Sequence, residues 1–184
     1  MSDSSAPLSA AQGQPKAGFV PLSLVAAALF PGAGHMVRGE RTRGLLVSLG
    51  VLWLFFGGML VGGIDVIDSR EDRIWFVGQA LVGPIAFGVD YAHQNYFKVR
   101  DPKSGEFRSA YPGEGRDPKT GIAVAGGSPP NRKSIAKINE LGTLFATIAG
   151  MLNLIAMIDA AFPTARAGGR RLTPSDNAAQ GTRP

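Results

Sequence analysis

With two histidines and no cysteine, this 184-residue chain has few side chains that could do chemistry. Without cysteine it has no disulfide, thiolate metal ligand or cysteine nucleophile. His35 lies in the turn Pro31-Gly32-Ala33-Gly34-His35, shortly before Arg38, and Asp159 closes an apolar run far downstream. An ionisable residue at membrane depth is a functional hypothesis by default, because burying its charge is costly. At an interface the same residue is solvated or caps a helix, and both His35 and Asp159 sit near the ends of apolar blocks. Asn153, midway along such a block, suits a hydrogen bond to a neighbouring helix better than catalysis. Asp90 and His93, three residues apart, are a carboxylate and an imidazole without the further ligands that a zinc site needs. No metalloprotease, phosphate-loop, nucleophile-elbow or kinase pattern is present. The reading assigns no catalytic, cofactor-binding or metal-ligating residue. It retains His35, Arg38, Asn153 and Asp159 as candidate functional or structural polar positions.

The elements that must position these residues are apolar. Gly44 to Ile64 runs for about twenty residues without a formal charge, bracketed by Arg38, Arg41 and Arg43 before it and Asp65 after it. At 1.5 Å per residue that length crosses a hydrocarbon layer of roughly 30 Å. Gly18 to Val37 is also uncharged but is interrupted by Pro31, Gly32 and Gly34, so its helix is expected to end near Phe30, as a first span or a re-entrant piece. Ile74 to Val89 is short and broken at Gly83-Pro84, and Leu141 to Ile158 forms the fourth block. Gly142, Ala146 and Gly150 recur every fourth residue, as do Gly58 and Gly62, which allows helices to approach closely within one chain. The expected fold is an all-α membrane protein of three or four transmembrane or re-entrant helices, with a polar, β-hairpin-containing loop between the third and fourth.

That loop contains an internal repeat: Asp101-Pro102-Lys103-Ser104-Gly105 returns as Asp117-Pro118-Lys119-Thr120-Gly121. Asp first, Pro second and Gly last is the pattern of a tight turn closing a hairpin. Tyr96 to Val99 and Glu106 to Arg108 have the aromatic and β-branched character of short strands. The organisation that follows is a disordered tail at 1–17, membrane helices one to three at 18–91, a polar loop at 92–140, a fourth membrane helix at 141–162 and a disordered tail at 163–184. A cleavable signal is not expected, since the basic n-region is nearly missing before Phe19.

The net charge of +5 is read as topology and lipid contact rather than nucleic-acid binding. Nine Lys or Arg residues lie between Lys98 and Lys137, against Arg70 and Arg73 in the preceding loop. If the second and third blocks both span, the Arg38–Arg43 cluster and the polar loop share a side, which the charge rule makes cytoplasmic. Four full spans would then put His35 and Asp159 on opposite faces, and separation is the expected arrangement; a re-entrant first or fourth segment would instead let His35 or Arg38 pack beside Asp159.

The stretch Leu29 to Glu40, LFPGAGHMVRGE, followed by Arg43-Gly44-Leu45-Leu46, resembles the motif of the two-transmembrane-segment (TM-two) domain. There a short apolar helix runs into a Gly-x-Gly-His-like turn, a basic linker and the next span. Asn153 to Ala160 is similar to that domain's apolar end with an aspartate, and the layout is similar to that of uncharacterised small bacterial membrane proteins. The resemblance implies a membrane location, the bacterial inner membrane, and no enzymatic activity. The expected function is that of a non-enzymatic integral membrane protein that binds a membrane-protein partner, or a second copy of itself, or organises a complex in the lipid bilayer. The alternatives are a subunit of a small-solute channel or transporter and a membrane-embedded enzyme using His35 and Asp159. No cofactor and no nucleic acid is expected.

Overall fold

The computed structural model describes residues 18–131 and 136–163, and the two expected disordered tails lie almost wholly outside the described residues. The fold is mostly helical. Its frame is an antiparallel pair, α3 (Arg41–Gly62) and α6 (Ala136–Ala161), the two helices that are long and apolar enough to cross a membrane. Arg43, at the start of α3, meets Asp159 near the end of α6, while Gly62 lies against Gly142 at the other end. The small-residue stripes are what bring the pair together. A Cβ added at Gly58 would lie 2.6 Å from the Gly142 carbonyl oxygen, too close for any larger residue. α6 starts five residues before the expected fourth helix, because the segment 136–140 continues its helical register.

The other two apolar blocks double back on themselves. Helix α1 (Pro21–Leu29) has nine residues, about 14 Å of rise and so roughly half a hydrocarbon layer. It begins at Pro21, whose fixed φ suits a first helical turn, and ends before Pro31. Gly32 then takes a φ of 78°, with its α-carbon pressed against the Gly44 carbonyl, and the chain returns through α2 (Ala33–Val37). Helices α4 (Arg73–Ala80) and α5 (Pro84–Ala92) form a second such hairpin around Gly83, at a φ of 110°. The rings of Phe76 and Phe87, on the two arms of the reversal, meet edge to face at 5.5 Å. The two hairpins enter from opposite ends of the α3–α6 pair, and their tips meet at mid-depth. A Cβ on Gly83 would lie 2.7 Å from the Ala28 carbonyl oxygen. The Asn153 amide donates to the Leu81 carbonyl at 2.8 Å and to the Ala27 carbonyl at 3.4 Å. The first block therefore does not form one continuous long helix: proline and glycine turn both broken blocks into helical hairpins.

This geometry also corrects the charge argument. The Arg38–Arg43 cluster and the polar loop sit at opposite ends of the frame, since one long helix, α3, separates them. The core between the elements is formed by Val51, Phe55, Val66, Ile67, Val82, Ala86, Ala146 and Ala149.

After α5 the chain makes a wide helical turn, His93–Phe97, and enters two antiparallel hairpins. Strand β1 (Val99–Arg100) pairs with β2 (Phe107–Arg108), and β3 (Glu114–Arg116) pairs with β4 (Ala123–Ala125). The repeated turns close them in the same way. Asp101 accepts from the Lys103 and Ser104 backbone N–H groups, and Asp117 from the Lys119 N–H and the Thr120 hydroxyl. Gly105 and Gly121 end them at φ of 73° and 72°. Tyr96 and Phe97, expected in the first strand, belong to the helical turn instead.

Candidate functional site

Three polar assemblies lie along the frame, one at each end and one between the hairpin tips. At the first end, α2 carries His35, which is 1% exposed, to within 3.6 Å of an Asp159 carboxylate oxygen and 3.6 Å of a Glu40 oxygen. Arg43 pairs with Asp159 at 2.5 Å and with Glu40 at 3.3 Å, and Arg38 pairs with Glu40 at 2.8 Å. Arg38 also donates to the backbone carbonyls of Asp159 and Ala160, each at 3.4 Å, where α6 has run out of intrahelical partners. A carboxylate at a helix C-terminus opposes the helix dipole, and the guanidinium of Arg43 offsets that repulsion.

The expected separation of His35 and Asp159 is overturned, because α1 and α2 reverse and return His35 to the end where α6 finishes. The residues that the enzyme alternative requires do meet. Near them, the Ser48 hydroxyl is engaged with the carbonyls of Pro31 and Gly44, at 2.5 and 2.9 Å. The arrangement therefore reads as a polar latch: α2, the α2–α3 linker, the start of α3 and the end of α6 are tied through one carboxylate pair. A groove of about 410 Å³ runs down from it between α3 and α6, with Val47, Val51 and Ile155 along its wall.

Asn153, the second assembly, is fully buried. The expectation of an interhelical hydrogen bond underestimates it, since it serves the tips of both helical hairpins. Carbonyls at a helix break within an apolar layer must find donors inside the protein, and Asn153 supplies two.

The third assembly, at the far end, gathers residues from the loop after α3 and from the end of α5. Asp90 accepts from the Ser69 N–H at 2.9 Å and the Ser69 hydroxyl at 2.6 Å. Asp68, 1% exposed, accepts from the N–H groups of Arg70 and Glu71 and from the Gln94 amide at 2.8 Å. Lys98, fully buried, is paired with Asp68 and, at 3.0 Å, with Glu71. Burial pushes the Asp68 carboxyl up, but the Lys98 ammonium and the two backbone N–H groups outweigh it and hold the group below its ordinary range. His93, 1% exposed, has its Nδ1 at 2.9 Å from the Ile67 carbonyl and its Nε2 at 3.4 Å from Asp65.

Of this third assembly the sequence reading caught only Asp90 and His93, and discounted them for want of further ligands. Asp65 and Asp68 lie about twenty-five residues upstream and arrive because the α4–α5 hairpin closes. The pointer was available: Gly83-Pro84, read as a reversal, puts Asp65-x-x-Asp68 and Asp90-x-x-His93 at one hairpin base.

The double hairpin is tied to this end as well. Arg116 donates to the Lys98 carbonyl at 2.5 Å, and Arg108 bridges the two hairpins, to Asp101 at 2.9 Å and Glu114 at 2.7 Å. The Arg108 guanidinium, with the Lys103 and Ser104 N–H groups, lowers the Asp101 carboxyl to about 2. The same guanidinium lowers Glu114, and the Thr120 hydroxyl leads the lowering of Asp117.

Residues 22–172 match DUF6677, a family of unknown function, and the chain belongs to that family. No curated protein and no solved structure matches the chain.

Proposed function

We propose that this DUF6677-family chain is a non-enzymatic integral membrane protein that holds a water-side double hairpin for a protein partner. In this reading α3 and α6 span the bilayer, and the pairs α1–α2 and α4–α5 dip into it from opposite faces. It replaces three or four spans by two spans and two re-entrant hairpins. The observation that carries it is the exterior of the helices. Trp53, Leu60 and Ile74 are 83%, 88% and 88% exposed, and Leu22, Leu46 and Ile155 continue the same surface. Soluble monomers rarely expose a contiguous apolar patch of more than a few hundred Å², whereas lipid solvates one without cost. The polar assemblies cap this apolar belt at both ends, and the buried Asn153 answers the broken backbone between them.

The charge rule favours a cytoplasmic double hairpin, since nine Lys or Arg residues fall between Lys98 and Lys137. The bacterial inner membrane is the location we infer from the TM-two resemblance. Tyr96 and Tyr111, 66% and 60% exposed on the water side, suit a protein contact. A channel or transporter subunit is the second reading, supported by the opposed half-depth hairpins, which transporters use to build sites at the bilayer midplane. A photo-crosslinking residue at Tyr111 in cells tests the choice. A discrete protein adduct at Tyr111, without one at Trp53, is expected. Solute flux through liposomes of the purified protein, with no adduct at Tyr111, would replace this reading by the second.

A further inference from the structure

We propose that Asp65, Asp68 and His93 form a binding site for a divalent cation of Zn2+ type at the base of the α4–α5 hairpin, a site independent of the partner-binding reading. The three residues each offer one ligand atom, all within 4.8 Å of one another, and all three are buried. The imidazole carries the argument. The Ile67 carbonyl can only accept a hydrogen bond, so at 2.9 Å it fixes the proton on His93 Nδ1. In the neutral ring, Nε2 then presents a lone pair to the Asp65 carboxylate 3.4 Å away. Two lone pairs facing each other repel, and a cation between them turns the repulsion into coordination. Ligand bonds of about 2.0–2.2 Å in tetrahedral geometry place neighbouring ligand atoms about 3.4 Å apart, the separation of His93 Nε2 and the Asp65 oxygen.

The surroundings have the form of a metal site's outer layer. An Nδ1–H donated to a backbone carbonyl is the usual way in which a ligating histidine is oriented. Asp68 is likewise steadied by the Gln94 amide and two backbone N–H groups. An independent observation points the same way: the Gln94 Oε1 is buried and has no hydrogen-bond partner among the described residues, although its amide nitrogen is anchored on Asp68. That leaves an oxygen with an unused lone pair beside the cluster, where it suits a cation or a metal-bound water. Lys98 pairs with both Asp68 and Glu71, and its single charge leaves net negative charge at the cluster for a cation to offset. One imidazole with carboxylates favours Zn2+ over Mg2+, which prefers oxygen ligands and keeps its water. A cavity of about 490 Å³, lined by His93, Phe97, Ser109, Pro112 and Asn131, provides a way in from the double-hairpin side. The bound ion would fasten the loop after α3 to the root of the double hairpin.

Full-length protein purified in detergent and stripped with a chelator is titrated with Zn2+ and, separately, Mg2+ by calorimetry. One Zn2+ site per chain is expected, weakened at least about 100-fold in Asp65→Asn and in His93→Gln, more than the 10- to 100-fold typical of outer-layer substitutions. His35 is the other histidine of the chain, so His35→Gln should bind within about twofold of the native protein. Absence of saturable Zn2+ binding, or binding unchanged in His93→Gln, overturns the site. If His93→Gln does not fold, X-ray absorption of the Zn2+-loaded native protein and of His35→Gln decides. A single imidazole nitrogen among oxygens in both supports the site, and an oxygen-only shell, or a nitrogen lost with His35, refutes it. Two ring N–H signals from His93 in the stripped protein, with no Zn2+ bound, would identify a protonated imidazole and refute it too.

Discussion

Replacing Asn153 by leucine keeps the side-chain volume and removes a donor group that reaches both hairpin tips. The Leu81 carbonyl loses a bond of 2.8 Å, and the Ala27 carbonyl loses one of 3.4 Å. Side-chain hydrogen bonds within membrane helices average about 0.6 kcal/mol and reach about 1.7. The short bond belongs near the top of that range and the long one near the bottom, which gives about 2 kcal/mol together. Asn153→Leu should therefore lower the unfolding free energy in an SDS titration by about 2 kcal/mol, roughly a 30-fold change in equilibrium constant. The loss should be local as well as global, with faster amide exchange at Phe30, Val82 and Gly83, the residues of the two reversals. Asn139→Leu is the comparison, because Asn139 makes one bond of 3.3 Å to the Gly62 carbonyl near the end of the frame. Equal stability of native protein and Asn153→Leu, or exchange unchanged at the tips, would refute the idea that this amide joins the hairpins.

Asp159→Ala leaves Arg43 with Glu40, and Arg43 and Asp159 are both more than a third exposed, so the loss should be at most about 1 kcal/mol in the same SDS titration. Gly105→Val forces a β-branched residue to a φ of 73° in open space, so NMR should show the first hairpin disordered while the helical circular dichroism is unchanged. The hairpins should also respond to acid. A carboxyl lowered in the folded state contributes stability above its unfolded pKa and loses it as the pH falls towards the folded one. With Asp101 at about 2, and Glu114 and Asp117 lowered too, the hairpin signals should hold at pH 5 and fade between roughly pH 4 and pH 2. Arg108→Gln should move that loss upward in pH, and an unshifted Asp101 titration would contradict the Arg108 bridge.

The features legible in the sequence were those that local chemistry decides. An uncharged run the length of Gly44 to Ile64 has to be a long helix, and the two Asp-Pro-Lys-Ser/Thr-Gly segments have to be turns. Asn153 was legible as a buried donor, because a lone amide on an apolar helix needs a partner. What the sequence left open was the fate of a helix broken by Pro31 or by Gly83-Pro84. A break ends the helix but does not say whether the chain continues across or returns, and packing against α6 decides that. Everything downstream hangs on this choice: the meeting of His35 with Asp159, which follows only if the first or fourth segment turns back, the opposite placement of the two basic clusters, and the gathering of Asp65, Asp68, Gln94 and Lys98. Lys98 in particular looks like one more solvated charge in a basic loop, and its burial depends wholly on two acids far upstream in the chain.

The central claim is that the chain crosses the bilayer twice and dips into it twice, and two single cysteines in this cysteine-free protein test it most directly. Thr42 is exposed at the first end of the frame, and Lys103 at the tip of the first hairpin. In intact cells, Thr42→Cys should react with a membrane-impermeant thiol reagent, and Lys103→Cys only after permeabilisation. Reaction of both, or of neither, would place the two ends on one side and contradict the paired re-entrant hairpins.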